Sequence, residues 1–196
     1  HKAICSGDFF IWCFPNAGNP QKVQRYPMEW ARALRDMASK GAELLLPAHG
    51  LPIAGADRIQ LVLNDVASAL EYLVQETLQR MNEGAKLDDI LQEVRVDSSI
   101  LEKPYLRPTY DEPEFIIRNI WRLYGGWYDG NPARLKPAPD QILAAELASL
   151  AGGALALAER ASTLMAQDIR LACHLVELAV QADPLDQAAH EIRAAI

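Results

Sequence analysis

Two residues near the start of the chain carry side chains that bind metals, and each follows a β-prone run. Asp8 follows Gly7 after the run "KAICS", and His49 lies in "LLLPAHG", directly after three leucines. Carboxylates and imidazoles are ligands of zinc, and loops at strand ends commonly hold such groups. The pair predicts a metal site. On spacing alone, a turn-capping aspartate and a surface histidine remain the alternative.

A shared sheet is needed to bring these two side chains together, and the surrounding sequence predicts one. β-Prone runs occupy residues 2–6, 9–14 and 43–46, and apolar residues at three- and four-residue spacing predict a helix over 27–40. A strand, helix, strand order is typical of an α/β layer. We therefore expect Asp8 and His49 to follow strands of one layer.

Beyond residue 56 every predicted element is a helix. An uninterrupted apolar stripe over 59–81, closed by Gly84, predicts one long helix. Further helices are predicted at 87–94, 113–124 and 140–151. A helix ending at about residue 165, one at 168–182 and one after Pro184 follow. Alanines dominate the helices from residue 140 onward, which is typical of tetratricopeptide-like helix pairs. The predicted fold class is α+β, with a short α/β segment followed by an all-α part.

Composition excludes several classes of function. The net charge is −7 and the pI is about 5.1, so there is no basic surface for nucleic acid or an anionic membrane. No apolar run approaches the roughly 20 residues of a membrane span. The three cysteines are odd in number and lie in apolar contexts, which predicts buried free thiols rather than disulfides.

Longer motifs carry a resemblance to a known family. "SGD" and "LLPAHG" resemble the last two metal-binding motifs of the metallo-β-lactamase superfamily, in which the aspartate bridges two metals and the histidine binds one. "GLPIAGADRIQLVL", the long helix and above all "WRLYGGWYDGNPARLKP" resemble the alkylsulfatase dimerisation domain. The resemblance implies a metallo-β-lactamase-like hydrolase part at residues 1–56 and a helical dimerisation domain at 57–196.

The same resemblance implies roles for individual residues. Asp8 and His49 would hold zinc, with two zinc ions expected in the complete site. Asn16 and Lys22 would hold the sulfate of an ester, and Arg58 would brace the histidine loop from outside. Loop capping by Asn16, a solvated Lys22 and an exposed Arg58 at a helix start are the alternatives.

The remaining ligands of such a site are missing from the sequence. The superfamily motif HxHxDH does not occur, and the other histidines are His1, His174 and His190, the last two on predicted C-terminal helices. The expectation is therefore the C-terminal part of a metal-dependent sulfate-ester hydrolase, with an upstream hydrolase segment, a second copy of the chain and a small sulfate ester as partners. A non-catalytic assembly module and a thioesterase or lactonase relative are the alternative functions.

Overall fold

The computed structural model describes residues 2–196 in two compact units, one ending at Asn131 and the other comprising Pro132–Ile196. In the first unit, strands β1 (Ala3–Ile11), β2 (Leu44–His49) and β3 (Ile53–Ala54) form a sheet in that order. β1 and β2 are parallel and are connected through helix α1 (Pro27–Ser39), whereas β3 pairs antiparallel to β2. The predicted strand, helix, strand layer is confirmed.

Two strand ends differ from the prediction. β1 joins the two predicted runs, 2–6 and 9–14, into one strand that passes through Gly7 and Asp8 and ends at Ile11. Its register with β2 shifts on both sides of Gly7, whose φ is +55°. A glycine tolerates this conformation, so the chain passes the irregularity and pairing resumes with Ile11 opposite His49. β2 likewise extends past its leucines to His49. Both candidate ligands therefore lie within strands rather than beyond them.

Four further helices complete the described part of the first unit. Helix α2 (Ala56–Asn82) is followed by α3 (Leu87–Glu93), α4 (Ser98–Leu101) and α5 (Pro113–Gly125). A single core joins strands and helices; its largest fully buried side chains are Phe10, Phe14, Leu34, Leu45, Ile59, Leu63, Leu70, Leu73, Ile90, Leu106, Ile116 and Ile117. Residues 57–131 thus share their core with β1–β3. The predicted domain boundary at residue 56 stays a prediction.

The second unit is helical. A 3-10 turn at Pro132–Arg134 precedes α6 (Asp140–Ala151), α7 (Ala154–Leu164), α8 (Ile169–Ala182) and α9 (Gln187–Ala195). Gly152 adopts the left-handed conformation that ends α6, and the carboxylates of Asp168 and Asp186 cap α8 and α9. These helices meet through buried alanines: Ala144, Ala148, Ala158, Ala161, Ala172, Ala179 and Ala189. Tetratricopeptide-like pairing of these helices remains a prediction.

The structure of residues 2–196 bears on two predictions, one about the cysteines and one about membrane-spanning helices. Cys5 and Cys173 are exposed free thiols and Cys13 is half-buried, so the prediction of buried thiols is wrong for the first two. No single helix in this range is long and apolar enough to cross a membrane. Helices α6 and α7, which meet at an 82° bend, satisfy the length and composition criteria only when taken together.

Candidate functional site

The parallel pairing of β1 and β2 brings the two predicted metal ligands together. His49 Nε2 lies 3.5 Å from Asp8 Oδ1, and the side chains are 75% and 59% exposed. The two donors converge at a solvent-accessible point, so they fit the ligand chemistry of zinc. Among residues 2–196 no group of three or more histidine, cysteine or acidic side chains lies close enough to hold a metal. The structure thus brings together two side chains of the types that bind zinc, and the metal site itself stays a prediction.

A cavity of about 580 Å³ opens beside this pair. Four of the five predicted site residues line it: Asp8, Asn16, Lys22 and His49. The complete lining is Asp8, Ile11, Trp12, Cys13, Asn16, Lys22, Arg25, His49, Gly50, Thr109 and Tyr110. Arg58, the fifth predicted residue, is exposed in the first turn of α2 and lines a separate depression with Gly55, Ala56 and Asp57. The structure does not bring Arg58 into the cavity.

The cavity contains two cationic side chains suited to an oxyanion. Lys22 and Arg25 supply two positive charges, and arginine presents several donors in a fixed planar arrangement. The Oδ1 atom of Asn16 and the Nε atom of Arg25 are buried without a hydrogen-bond partner among the described residues. Buried polar atoms are normally paired, so these two atoms favour a polar ligand or ordered water in the cavity.

The loop that follows His49 is fixed by Trp12. The Trp12 Nε1–H donates to the Leu51 carbonyl over 2.8 Å. Gly50 has a φ of +102°, and a Cβ there would lie 2.0 Å from the Trp12 ring. The glycine after His49 is therefore required by both backbone conformation and space. In the sequence, the glycine of the motif "AHG" is the sign of this requirement.

Sequence reasoning missed Arg25, Thr109 and Tyr110. Arg25 lies just before α1, and its guanidinium carbon is 6.0 Å from the centroid of the Trp30 ring. Thr109 and Tyr110 come from the connector between α4 and α5, far along the chain from the strands. No local pattern marks any of these residues as a cavity residue.

Burial raises the pKa of the cavity residue Cys13 and of Asp111, which follows Tyr110 in the chain. Burial raises the pKa of the Cys13 thiol, while a hydrogen bond with Thr109 lowers it and the Asp111 charge raises it. Cys13 is therefore a thiol rather than a reactive thiolate at neutral pH. Asp111 is fully buried, and desolvation raises its pKa to about 6 although the Glu112 and Gly18 N–H groups lower it. Its Oδ2 atom has no hydrogen-bond partner in the described part of the chain.

Asp111→Asn should make the protein more stable at neutral pH and change how stability depends on pH. The folded-state pKa lies above the ordinary 3.8, so the native state binds this proton more tightly than the unfolded state. The contribution of Asp111 to stability is therefore greatest below about pH 4 and is lost as pH rises through about 6. The variant should melt above the wild type at pH 7.5 and similarly at pH 4. Melting temperatures measured across this range test it, and a constant difference would contradict it.

Comparison with known proteins identifies the family. The family model described as alkyl sulfatase dimerisation matches residues 86–196, more than half of the chain. The chain belongs to the alkyl sulfatase dimerisation family. The motif "WRLYGGWYDGNPARLKP" predicted this membership. It lies inside the matched range, so the prediction is confirmed.

Curated relatives of this family member include enzymes from bacteria and yeast. A linear primary-alkylsulfatase of Pseudomonas sp. (strain ATCC 19151) is 29% identical over 172 residues, covering 87% of this chain and 33% of the relative. The alkyl/aryl-sulfatase BDS1 of Saccharomyces cerevisiae is 29% identical over 168 residues, with coverages of 84% and 26%. An (R)-specific secondary-alkylsulfatase of Pseudomonas sp. is 31% identical over 154 residues, with coverages of 78% and 23%.

The fold is likewise similar to a solved alkylsulfatase structure. The stereoselective inverting sec-alkylsulfatase Pisa1 from Pseudomonas sp. matches with a TM-score of 0.88 and 28% identity, over 98% of this chain and 31% of that one. The chain therefore spans about a third or less of the length of these relatives.

Proposed function

We propose that the chain is the C-terminal part of a metal-dependent sulfate-ester hydrolase of the alkyl sulfatase type. The observation that carries this proposal is the convergence of Asp8 and His49 beside a cavity that also contains Lys22 and Arg25. Such a site would bind an anionic group of the substrate beside the metal ligands. Its relatives named as alkylsulfatases support a sulfate ester as the substrate.

In hydrolysis, some residues of this chain would bind the metals and others would bind the sulfate group of the ester. Asp8 and His49 would hold zinc, with the other ligands supplied by an upstream hydrolase segment. Bound zinc lowers the pKa of a coordinated water and polarises an ester oxygen. Lys22, Arg25 and the Asn16 amide would orient the sulfate group and stabilise the negative charge that develops on its oxygens. Water is consumed, and an alcohol and hydrogen sulfate are released.

The isolated chain should show no sulfatase turnover, because two ligands do not build a dinuclear site. The same chain joined to an upstream hydrolase segment should bind zinc and release sulfate from a medium-chain alkyl sulfate. Sulfate release and zinc content measured on both proteins test the proposal. Turnover by the purified isolated chain, or none by the intact zinc-loaded protein, would refute it.

A thioesterase or lactonase is the alternative chemistry at the same metal ligands. The cation pair Lys22 and Arg25 favours the sulfate ester, since neutral thioesters and lactones present no comparable anionic group. Assays of the intact enzyme with a thioester, a lactone and an alkyl sulfate at equal concentration distinguish these substrates. Faster turnover of a neutral ester would favour the alternative.

A second proposed function, self-association, has its own structural support. The apolar stripe of α2 is buried in its own unit: Leu70 and Leu73 are fully buried, so these side chains are not available to a partner. By contrast, Leu143, Leu147 and Leu150 of α6 are exposed at helical spacing. A family named for dimerisation and an exposed apolar face on a matched helix together support a homodimer through the helical domain.

Leu150→Asp should weaken dimerisation by roughly tenfold or more, because the charge would be desolvated in an apolar interface. Ser149→Asp, on the same helix but off this face, is the matched control and should leave the dimer intact. Sedimentation or light scattering over a dilution series of the purified protein measures the dissociation constant. Equal behaviour of the two variants would exclude this face of α6 as the interface.

A further inference from the structure

The loop between β1 and α1 holds three of the polar residues of the cavity although it has no regular structure. Residues 12–26 contain neither helix nor strand, yet Asn16, Lys22 and Arg25 all line the cavity from this segment. A backbone without its own hydrogen-bonded ladder needs partners from elsewhere to hold one conformation. Those partners come from the helical part of the same unit.

Asn119 of α5 supplies most of these contacts. Its side chain is buried, at 5% exposure, and its Nδ2 group donates to the carbonyls of Ala17 and Arg25 over 3.1 and 2.8 Å. Its Oδ1 atom accepts from the Arg25 N–H at 3.2 Å and from Gln24 Nε2 at 3.0 Å. Arg122 Nη2, on the same helix, donates to that oxygen at 3.3 Å. One amide thus binds the loop on both sides of Lys22.

Two backbone contacts place the same loop against the helical part. A Cβ on Gly18 would lie 2.4 Å from Ile116 Cα and 2.5 Å from the Phe115 carbonyl oxygen, so the loop backbone directly touches α5. The Phe14 N–H donates to the Arg107 carbonyl over 2.9 Å. The loop is therefore fixed at three points, and Asn119 is the one nearest to Arg25.

We propose that Asn119 is a positioning residue for the anion-binding side of the cavity, an inference that rests on the proposed sulfate-ester hydrolysis. Asn119 does not line the cavity itself. It holds the Arg25 backbone through both its N–H and its carbonyl, and it also holds the Ala17 carbonyl next to Asn16. Because these bonds are buried, losing them leaves unpaired polar groups and releases the loop. The helical region named for dimerisation thereby sets the geometry of substrate binding.

The test uses the intact enzyme with its upstream segment and compares Asn119→Leu and Asn119→Asp with the wild type. Both are close to asparagine in size; leucine removes every hydrogen bond of the amide, and aspartate removes only the donated ones. We expect KM for an alkyl sulfate and the inhibition constant of inorganic sulfate to rise roughly tenfold, because the loop that carries Lys22 and Arg25 is released. Zinc content should stay unchanged and kcat should change less than KM.

Asn64→Leu is the matched control. Asn64 of α2 is a half-buried asparagine that accepts from Arg35 Nη1 of α1 at 2.7 Å, but it does not line the cavity. This variant should have the wild-type KM. A KM shift equal to that of Asn119→Leu would mean that general destabilisation explains both effects, and would overturn the proposal.

Hydrogen exchange of the Arg25 amide gives a readout that does not depend on activity. Asn119→Leu should lose protection there, whereas Asn119→Asp retains the acceptor and should keep it. If the leucine variant does not fold, the aspartate variant alone decides, and an unchanged KM in it overturns the proposal. Failure of the proposed function has a different signature: a folded, zinc-loaded wild type with neither alkyl sulfate turnover nor inhibition by sulfate, which overturns both assignments.

Discussion

His49→Ala in the intact hydrolase should lower its zinc content and reduce kcat/KM by at least about a hundredfold, since even residues that only support metal ligands cost ten- to a hundredfold when changed. The melting temperature should change little, because the His49 side chain is 75% exposed and its ring makes no buried contact that the fold depends on. Metal analysis, steady-state kinetics and thermal unfolding of the same preparation measure the three quantities. The effect on activity should therefore far exceed the effect on stability.

His174→Ala is the control for this experiment. His174 is exposed on α8 in the second compact unit and should tolerate the change in all three measurements. Wild-type zinc content and rate in His49→Ala would remove His49 from the metal site. The 3.5 Å approach to Asp8 would then be a surface contact between two exposed side chains.

Gly18→Ala should cost about 3 kcal/mol of stability or more, because overpacking against backbone is relieved only by moving an element. The new Cβ would lie within 2.5 Å of backbone atoms of Ile116 and Phe115. Helix α5 cannot yield easily, since Ile116 and Ile117 are fully buried in the core. Chemical denaturation of the purified protein gives the change in the free energy of unfolding.

Gly125→Ala is the matched control, since neither glycine has a positive φ. The nearest atom to a Cβ at Gly125 is the Cε end of the Met81 side chain at 2.9 Å, which moves at little cost. We expect a change of at most about 1 kcal/mol there. Equal losses in both variants would show that the loop does not press against α5.

The sequence by itself determined the existence and order of the main elements. Apolar periodicity predicted α1, α2, α3 and α5 to within a few residues, because that periodicity reflects the face each helix buries. It also predicted that Asp8 and His49 follow strands of one layer, since a strand, helix, strand order produces parallel neighbours, whereas the structure places both residues within those strands. The meeting of these two side chains follows from local patterns and one chain-order rule. The motifs of the second half determined the family.

Only the tertiary structure decided which residues complete the cavity. Arg25 and Asn119 are joined across 94 positions of sequence, and Thr109 and Tyr110 reach the cavity from a connector without regular periodicity. The tertiary structure also determined that Arg58 lines a different depression and that the apolar stripe of α2 is buried within its own unit. A periodic pattern records that a residue is buried or exposed, but not its partner. Contacts between distant segments arise from how the helices pack on the sheet, which no local spacing specifies.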